Sequence, residues 1–177
     1  MISTLDVVVS LLPEMVKKPE LWSSLIINRR KPITYRAFHL FTEGSLAGVR
    51  VCLHKFESCG AEDAFYHPHP WPSAMCVLLG SYRMRVGMSP NLEGEPITVM
   101  DSILSGGSKY SSEEPNFWHS VQPLETCYSI MINGAPWLEK AHKRAPTTTG
   151  KDLDTMTDEQ LSAHLNAFSF LLEECAV

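Results

Sequence analysis

The amino-acid sequence predicts an all-β protein with a flanking α-helix at each end, and three observations favour this class. Between residues 33 and 137, short segments rich in Val, Ile, Tyr, Phe and Trp alternate with turn residues. Before and after this region, apolar residues recur at the spacing of an amphipathic helix. No long helical segment separates the strand-like segments, which argues against a parallel α/β sheet. Many short strands between turns are typical of an antiparallel sandwich or barrel.

Eight segments of the central region are candidate strands, because β-branched and aromatic residues are frequent in them. They are 34–41, 49–56, 64–69, 74–80, 82–88, 97–104, 118–121 and 126–133. Turn residues separate them at 43–45, 58–60, 89–91, 106–108 and 122–125. The whole chain, 1–177, is expected to be a single domain, with a helical N-terminal extension at 3–30, a barrel at 33–137, and a connection followed by a helix at 138–177.

The N-terminal extension predicts short helices. Its apolar residues at helical spacing are Leu5, Val8, Val9, Leu12 and Val16. Ser3 and Asp6 could cap the start. Pro13 is expected to end the first helix, because proline lacks the amide proton that a helix interior needs. A second short helix is expected over 20–25, with Pro19 in its first turn.

The C-terminal segment predicts one longer helix. Thr157 and Gln160 match a capping box, in which each side chain bonds to the backbone amide of the other residue. The apolar residues that follow at helical spacing are Leu161, Leu165, Phe168 and Leu172. We expect an amphipathic helix that packs on the barrel or on a second subunit.

Composition excludes several classes of function. Hydrophobic residues make up 44% and charged residues 20%, and the net charge is −5. The chain therefore has neither the composition of a disordered protein nor the basic excess that nucleic acids require. Its longest apolar runs are too short to span a bilayer. Five cysteines without a Cys-x-x-Cys pair and a start without a basic region favour a reduced, cytoplasmic protein.

Three histidines carry the strongest chemical signal. His67 and His69 are two residues apart on a candidate strand, and such side chains point to the same face. His119 lies on another candidate strand, fifty residues after His69. Neutral imidazole is a common ligand of zinc, iron, copper and nickel. These residues are candidate metal ligands if a barrel interior brings them together.

The segment around the first two histidines resembles the first motif of the cupin superfamily, which reads Gly, five residues, His-x-His, three or four residues, Glu, six residues, Gly. Here six residues lie between Gly60 and His67, one more than in that pattern. Ser73 stands at the position of the Glu, and Gly80 follows in register. The departure at Ser73 removes the acidic residue of the motif.

The segment around His119 resembles the second cupin motif less closely. Pro115 lies one position late, Phe117 stands where glycine is usual, and Pro123 stands where Asn is expected. The sequence is also similar to a cupin group that combines His-x-His-Pro-Trp with a following Leu-x-Gly-x-Tyr and a later Trp-His-x-Val. The resemblance covers about residues 34–137.

The resemblance implies a double-stranded β-helix, or jelly-roll barrel, with a metal held by the three histidines. Because Ser73 replaces the Glu, the implied ligand set is neutral, similar to that of the thiol dioxygenases, which hold ferrous iron with open positions for substrate and oxygen. Fe(II) is the expected metal, with zinc and nickel as alternatives. Glu62 or Asp63 upstream is an alternative acidic ligand. A scaffold that has lost its metal is the remaining alternative.

Four residues are candidates for contact with a substrate: Tyr82, Arg83, Arg85 and Tyr128. An inward arginine could hold a carboxylate with its planar guanidinium group, whereas an outward one would be solvated. The same two orientations are open for Arg36 and Arg50 on earlier strands. His39 and His54 are interpreted as core or surface histidines.

The expected function is an oxygen-using metalloenzyme, a dioxygenase that acts on a small-molecule substrate. Two alternatives stay open, because a fold does not determine a function: a non-catalytic module that binds a small ligand, and a metal-dependent isomerase or lyase. No nucleic-acid or membrane partner is expected. A homodimer is expected, since terminal helices with apolar stripes often cover a neighbouring subunit.

Overall fold

The computed structural model describes residues 1–29, 31–89, 96–115, 117–137 and 153–174. Within these ranges the protein has two antiparallel β-sheets, and one α-helix lies towards each end of the chain. The elements are α1 (Ile2–Met15), β1 (Ser23–Ile27), β2 (Thr34–Leu40), β3 (Arg50–Phe56), β4 (His67–Pro68), β5 (Ser73–Leu79), β6 (Ser81–Met88), β7 (Ile97–Ser105), β8 (Lys109–Ser112), β9 (Phe117–Pro123), β10 (Cys127–Asn133) and α2 (Asp158–Glu174).

The strand order is that of a jelly roll. The first sheet runs β1-β2-β3-β10-β5-β8, and the second runs β4-β9-β6-β7. The eight strands from β3 to β10 therefore divide equally between two facing sheets, with β1 and β2 added at one edge of the first. Neither sheet closes on itself in the described part of the chain. All eight predicted strands are found, although β4 is only two residues long.

Two apolar layers hold the elements together. One lies between the sheets and consists of Cys52, Phe56, Met75, Val77, Tyr82, Met84, Val86, Val121, Cys127 and Met131. The other lies between the outer face of the first sheet and both helices, and it includes Leu5, Leu53, Ile130 and Phe168. The helices therefore cover one sheet only, and the space between the two sheets is where a site can form.

Gly80 makes the tight turn between β5 and β6. Its φ is 80°, in the left-handed region that glycine tolerates. A Cβ at this position would collide with the carbonyl oxygen of Thr126. The second glycine of the cupin-like motif is therefore required by backbone conformation and by lack of space.

The N-terminal helix differs from the prediction. It begins at Ile2 with Met1 as the N-cap residue and no side-chain cap, so the predicted capping by Ser3 and Asp6 is wrong. It also continues through Pro13 to Met15. Pro13 removes the one backbone bond that its own amide would make, and the chain beyond it keeps the helical pattern, since the amide of Val16 donates to the carbonyl oxygen of Leu12.

The helix predicted over 20–25 is wrong. Pro19–Leu21 forms a short 3₁₀ turn, and β1 follows directly. Leu25 of β1 lies opposite Arg36 of β2 in an antiparallel pair. Six residues are too few for a stable isolated helix, so pairing with β2 decides the conformation. The short edge strand β8 was not predicted, because its residues are mostly polar.

The C-terminal helix confirms the capping box. The backbone amide of Gln160 donates to Thr157 Oγ1 at 3.2 Å, and the amide of Thr157 donates to Gln160 Oε1 at 2.9 Å. Its apolar face packs on the first sheet, where Phe168 lies against the ring of Tyr128. Part of the turn predicted at 89–91, and residues 138–152 of the predicted connection, lie outside the described residues. No helix within the described ranges is long and apolar enough to cross a membrane.

Candidate metal centre

The jelly-roll topology brings the three predicted histidines together between the sheets. His67 on β4 lies opposite His119 on β9, and His69 comes directly after β4. Opposed residues of an antiparallel pair share a face, as do residues two apart along a strand. One nitrogen from each ring lies within 4.8 Å of the others. The three histidines therefore form a group that could bind a metal ion.

The nitrogen positions fit a metal better than a hydrogen-bonded cluster of histidines. Nε2 of His119 lies 2.9 Å from Nε2 of His69 and 3.1 Å from Nε2 of His67. A ring nitrogen carries either a proton or a lone pair, so Nε2 of His119 cannot donate to one neighbour while it accepts from the other. Three lone pairs directed at one metal ion remove this conflict.

Burial keeps the central histidine in the form that binds metals. His119 is 3% exposed. Burial, assisted by the neighbouring His67 and His69 rings, holds the pKa of His119 well below its usual value, so its ring is neutral. Nδ1 of His67 lies 3.4 Å from the carbonyl oxygen of Phe65. A proton donated there leaves Nε2 of His67 free to ligate.

A cavity of about 90 Å³ opens beside the histidines. It is lined by Ile27, Lys31, Pro32, Thr34, Arg36, His54, Phe56, Phe65, His67, His69, Met75, His119, Val121 and Met131. Both sheets contribute walls, and apolar side chains make up half of the lining residues. No Asp or Glu is among these lining residues. The metal group therefore faces a small space without a carboxylate.

Ser73 stands at the acidic position of the cupin-like motif, but another residue of β5 forms the cavity wall. Ser73 is buried at the start of β5 but does not line the cavity. Met75, two residues further along and on the same face, does. The hydroxyl groups of Tyr82 and Tyr110 donate to its sulfur at 3.2 and 3.1 Å. A thioether held by two hydrogen bonds therefore forms the part of the cavity wall that β5 contributes.

The acidic residues upstream do not join the histidines. The carboxylate of Asp63 pairs with Lys31 at 3.3 Å. Glu62 lies against Gly60. Over the described ranges, the three histidines are the one group with metal-ligand geometry, and it contains no acid. The alternative of a fourth ligand from Glu62 or Asp63 is therefore wrong in this structure.

Of two further cavity residues, the sequence left the orientation of Arg36 open and did not identify His54 as a site residue. Arg36 on β2 lies opposite His54 on β3, and Nε of Arg36 donates to Nε2 of His54 at 2.7 Å. Both side chains line the cavity. Side chains alternate along 34–41 and 49–56, so Arg36 lies on the same face as the other even-numbered residues of its strand. The same holds for His54 on its own strand. Which face turns inward depends on packing against the second sheet, and no local pattern reveals that.

His54 is held in one neutral form. A guanidinium group only donates, so Nε2 of His54 must accept, and its proton must lie on Nδ1. Burial above all, and then the Arg36 charge, hold the pKa of His54 well below its usual value. Its Nδ1 is buried and makes no hydrogen bond to a described residue. His54 is buried, as its interpretation as a core histidine implies, but its ring also lines the cavity.

The predicted substrate-contact residues on β6 do not line the cavity. Tyr82 points inward but is fully buried, and its hydroxyl reaches Met75. Arg83 points outward and forms a bidentate pair with Asp101 at 2.6 and 2.7 Å. Arg85 also points outward, and its guanidinium group lies 5.8 Å from the ring centroid of Tyr66. The expectation of an inward arginine on this strand is wrong, because its odd-numbered residues face away from the apolar layer between the sheets.

Tyr128 lies on the other side of the first sheet. It is on β10, where Ser129 rather than Tyr128 shares the inward face with His54. Its ring packs 5.6 Å from that of Phe168 on α2. The structure therefore places Tyr128 in the layer between sheet and helix, away from the histidines.

Comparison with known proteins supports the fold. No protein-family model matches the sequence, and no curated protein matches it. Similar solved structures include hydroxypropylphosphonic acid epoxidase from S. wedmorenis (TM-score 0.49) and FeII HppE (TM-score 0.50). Each is 16% identical and covers 65% of this chain, and the chain spans 56% and 57% of their lengths. The likeness to FeII HppE and the jelly-roll strand order confirm the predicted cupin fold.

Proposed function

We propose that this protein is a mononuclear iron(II) enzyme that uses oxygen to oxidise a small molecule, as a dioxygenase does. The observation that carries the proposal is the convergence of the His67, His69 and His119 nitrogens on one side of a small cavity. Three neutral ligands fill only part of the coordination sphere of a transition metal. The three histidines line the cavity, so a metal that they held would have positions left for a substrate and oxygen.

The histidine donors are compatible with iron(II). His119 Nε2 lies 2.9 and 3.1 Å from the Nε2 atoms of His69 and His67, close enough for these nitrogens to ligate one ion with metal–nitrogen bonds of about 2.1 Å. Imidazole is a ligand of iron as well as of zinc. Iron(II) is also the metal named for the FeII HppE structure.

The chain's own residues would hold the substrate and keep water out. Bound iron would supply the reduction of oxygen. Phe56, Phe65 and Val121 give the cavity apolar walls, which limit the access of bulk water. Arg36 and His54 provide its polar wall away from the metal ligands. Substrate orientation would therefore depend on these two residues.

We also propose that the protein is a cytoplasmic homodimer. Ile97, Val99 and Ile103 lie on β7, at the edge of the second sheet, and each is at least 60% exposed. An exposed apolar edge strand favours pairing with another chain. Cys52, Cys59 and Cys127 carry free thiols, which suits a reducing compartment.

Oxygen consumption tests the proposed reaction. Protein loaded with Fe(II) without air is mixed with oxygenated buffer and a panel of small acids, including thiols, in an oxygen-electrode cell. Uptake is expected with at least one compound, and it should be absent from zinc-loaded protein and from the His119→Ala variant. Iron binding without uptake by any compound would contradict the proposal. Product analysis would then distinguish an isomerase or lyase from a binding module.

A further inference from the structure

Arg36 gives the cavity a positive charge that no acidic residue of the described lining balances. Lys31 also lines the cavity, but its side chain is 57% exposed and pairs with Asp63. A divalent metal on three neutral histidines would add to the charge of Arg36. Because a cavity wall with one sign of charge attracts ions of the other sign, the cavity favours a ligand with a negative group.

Arg36 makes an unusual contact for a half-buried arginine in a cavity wall. Among the described residues its hydrogen bond goes to the neutral ring of His54 rather than to a carboxylate. That bond uses Nε, so both terminal nitrogens of the guanidinium group keep their protons for other acceptors. The bond also fixes the plane of the group, and a fixed plane suits the two oxygens of a carboxylate.

His54 supplies a further donor beside Arg36. Its Nδ1 carries the proton, because Nε2 accepts from Arg36. This Nδ1 is buried and has no hydrogen-bond partner among the described residues, although buried donors are rarely left unpaired. Ser129, opposite His54 on β10, also has a buried hydroxyl without a described partner. The wall therefore offers donors to an acceptor that the described residues do not supply.

The size of the cavity limits the ligand. Its volume of about 90 Å³ is well below the few hundred Å³ of an ordinary small-molecule pocket. Half of its lining side chains are apolar. A carboxylate with a short apolar chain fits these walls better than a phosphate ion, which presents oxygen on every side.

We propose that Arg36, held in position by His54, binds the carboxylate of a small carboxylic acid, and that this acid is the substrate class of the site. Its role as a substrate rests on the proposed function. The contact between the carboxylate and Arg36 does not depend on the metal. In this arrangement His54 is a positioning residue that acts through Arg36.

Calorimetric titration of metal-free protein with propionate tests the contact. Propionate is expected to bind the parent protein and the Arg83→Met control, whose arginine lies on the outer surface. Arg36→Met should weaken binding by roughly 10-fold to 100-fold, as expected for the loss of hydrogen bonds to a charged group. Propionamide, which has the same size but no charge, should bind no better to the parent than to Arg36→Met, and inorganic phosphate should bind more weakly than propionate.

Two variants of His54 test its positioning role. His54→Gln keeps an acceptor for Nε of Arg36 and should retain most of the affinity for propionate. His54→Leu removes the acceptor, and its affinity for propionate should fall towards that of Arg36→Met. Thermal melting shows whether each variant is folded. Equal binding by parent and Arg36→Met, no propionate binding by the parent, or tighter binding of phosphate than of propionate would overturn the proposal. Since the titration contains no metal, it can succeed even if the iron-loaded protein consumes no oxygen.

Discussion

At the scale of single residues, the side of the strand that a residue occupies decides its chemistry. On β5, Ser73 and Met75 share the inward face, but only Met75 lines the cavity. On β6, the predicted Arg83 lies outside, whereas Arg36 on β2 lies inside. A displacement of one or two positions along a strand therefore separates a cavity residue from a core or surface residue.

A carboxylate at position 75 is expected to change the metal preference of the site. Met75→Glu should raise the affinity for Mn(II) relative to Fe(II) by roughly tenfold, because it adds a hard oxygen ligand for a hard cation. Met75→Gln, of similar size but without charge, is the matched control. Competition binding with both metals measures the change.

Ser73→Glu provides the comparison. Since Ser73 does not line the cavity, this substitution should leave the ratio of manganese to iron affinity unchanged. A gain in manganese affinity at position 73 without a gain at position 75 would show that Ser73, as the cupin-like spacing indicates, is the residue next to the metal.

The metal-ligating part of the site could be predicted from the sequence, but its substrate wall could not. His67 and His69 are adjacent on one strand, so their shared face follows from local geometry. Arg36 and His54 meet only through the pairing of β2 with β3, and they face the histidines only because the second sheet packs over them. Such contacts between distant segments leave no local signal.

At the scale of elements, α2 stabilises the first sheet through one side of the helix. Phe168 is fully buried there, and its ring lies 5.0 Å from that of His164. Phe168→Ala should lower the free energy of unfolding by about 3–5 kcal/mol, through lost burial and a cavity. Phe170→Ala is the control on the same helix, since Phe170 is 62% exposed. Its effect should stay within about 0.5 kcal/mol. If urea unfolding gave equal losses of unfolding free energy for Phe168→Ala and Phe170→Ala, the packing described for α2 would be contradicted.

His164 on α2 should make stability depend on pH. Burial lowers the pKa of His164 to about 4, against the opposing effect of its hydrogen bond to the carbonyl oxygen of Leu53. In the unfolded chain the pKa is about 6.5. As pH falls from 6.5 towards 4, the unfolded chain binds a proton that the folded chain does not, so the folded state loses up to about 3 kcal/mol.

Comparison with His164→Gln isolates this contribution. Urea unfolding of both metal-free proteins at pH 7.5 and pH 4.5 should show a smaller loss for the variant. His54 and His119 also have lowered pKa values, so some dependence on pH remains in both. An identical loss in parent and variant would mean that His164 is not buried as a neutral ring.

Local signals predicted the elements well where they agreed with the tertiary structure. The capping box of α2 needs only residues three apart, and it is formed as predicted. The segment 20–25 failed as a helix because β2 offers it a partner strand. Pro13 failed as a helix end because it removes only one backbone bond, and the amide of Val16 still bonds to Leu12.

At the scale of the whole molecule, alternation and turns predicted the class of fold, whereas the strand order required the resemblance to cupins. Pairings such as β3 with β10 join segments more than seventy residues apart.

The homodimer proposed above has a direct test. Light scattering should give a mass near twice the 19.8 kDa of the chain. Ile103→Lys, which places a charge on the exposed edge strand, should shift the mass towards that of one chain. A mass of 19.8 kDa for the parent protein at micromolar concentration would contradict the dimer.

The central claim is that the three histidines hold one metal ion, and the iron content of the protein tests it most directly. After loading with Fe(II) without air and removal of excess metal, elemental analysis should find a single iron per chain in the parent. The same result is expected for His39→Ala, whose ring instead donates to the carbonyl oxygen of Leu21 at 2.8 Å. His67→Ala, His69→Ala and His119→Ala, each folded as judged by circular dichroism, should retain little or no iron. A parent protein without iron, or full retention in the three variants, would contradict the account.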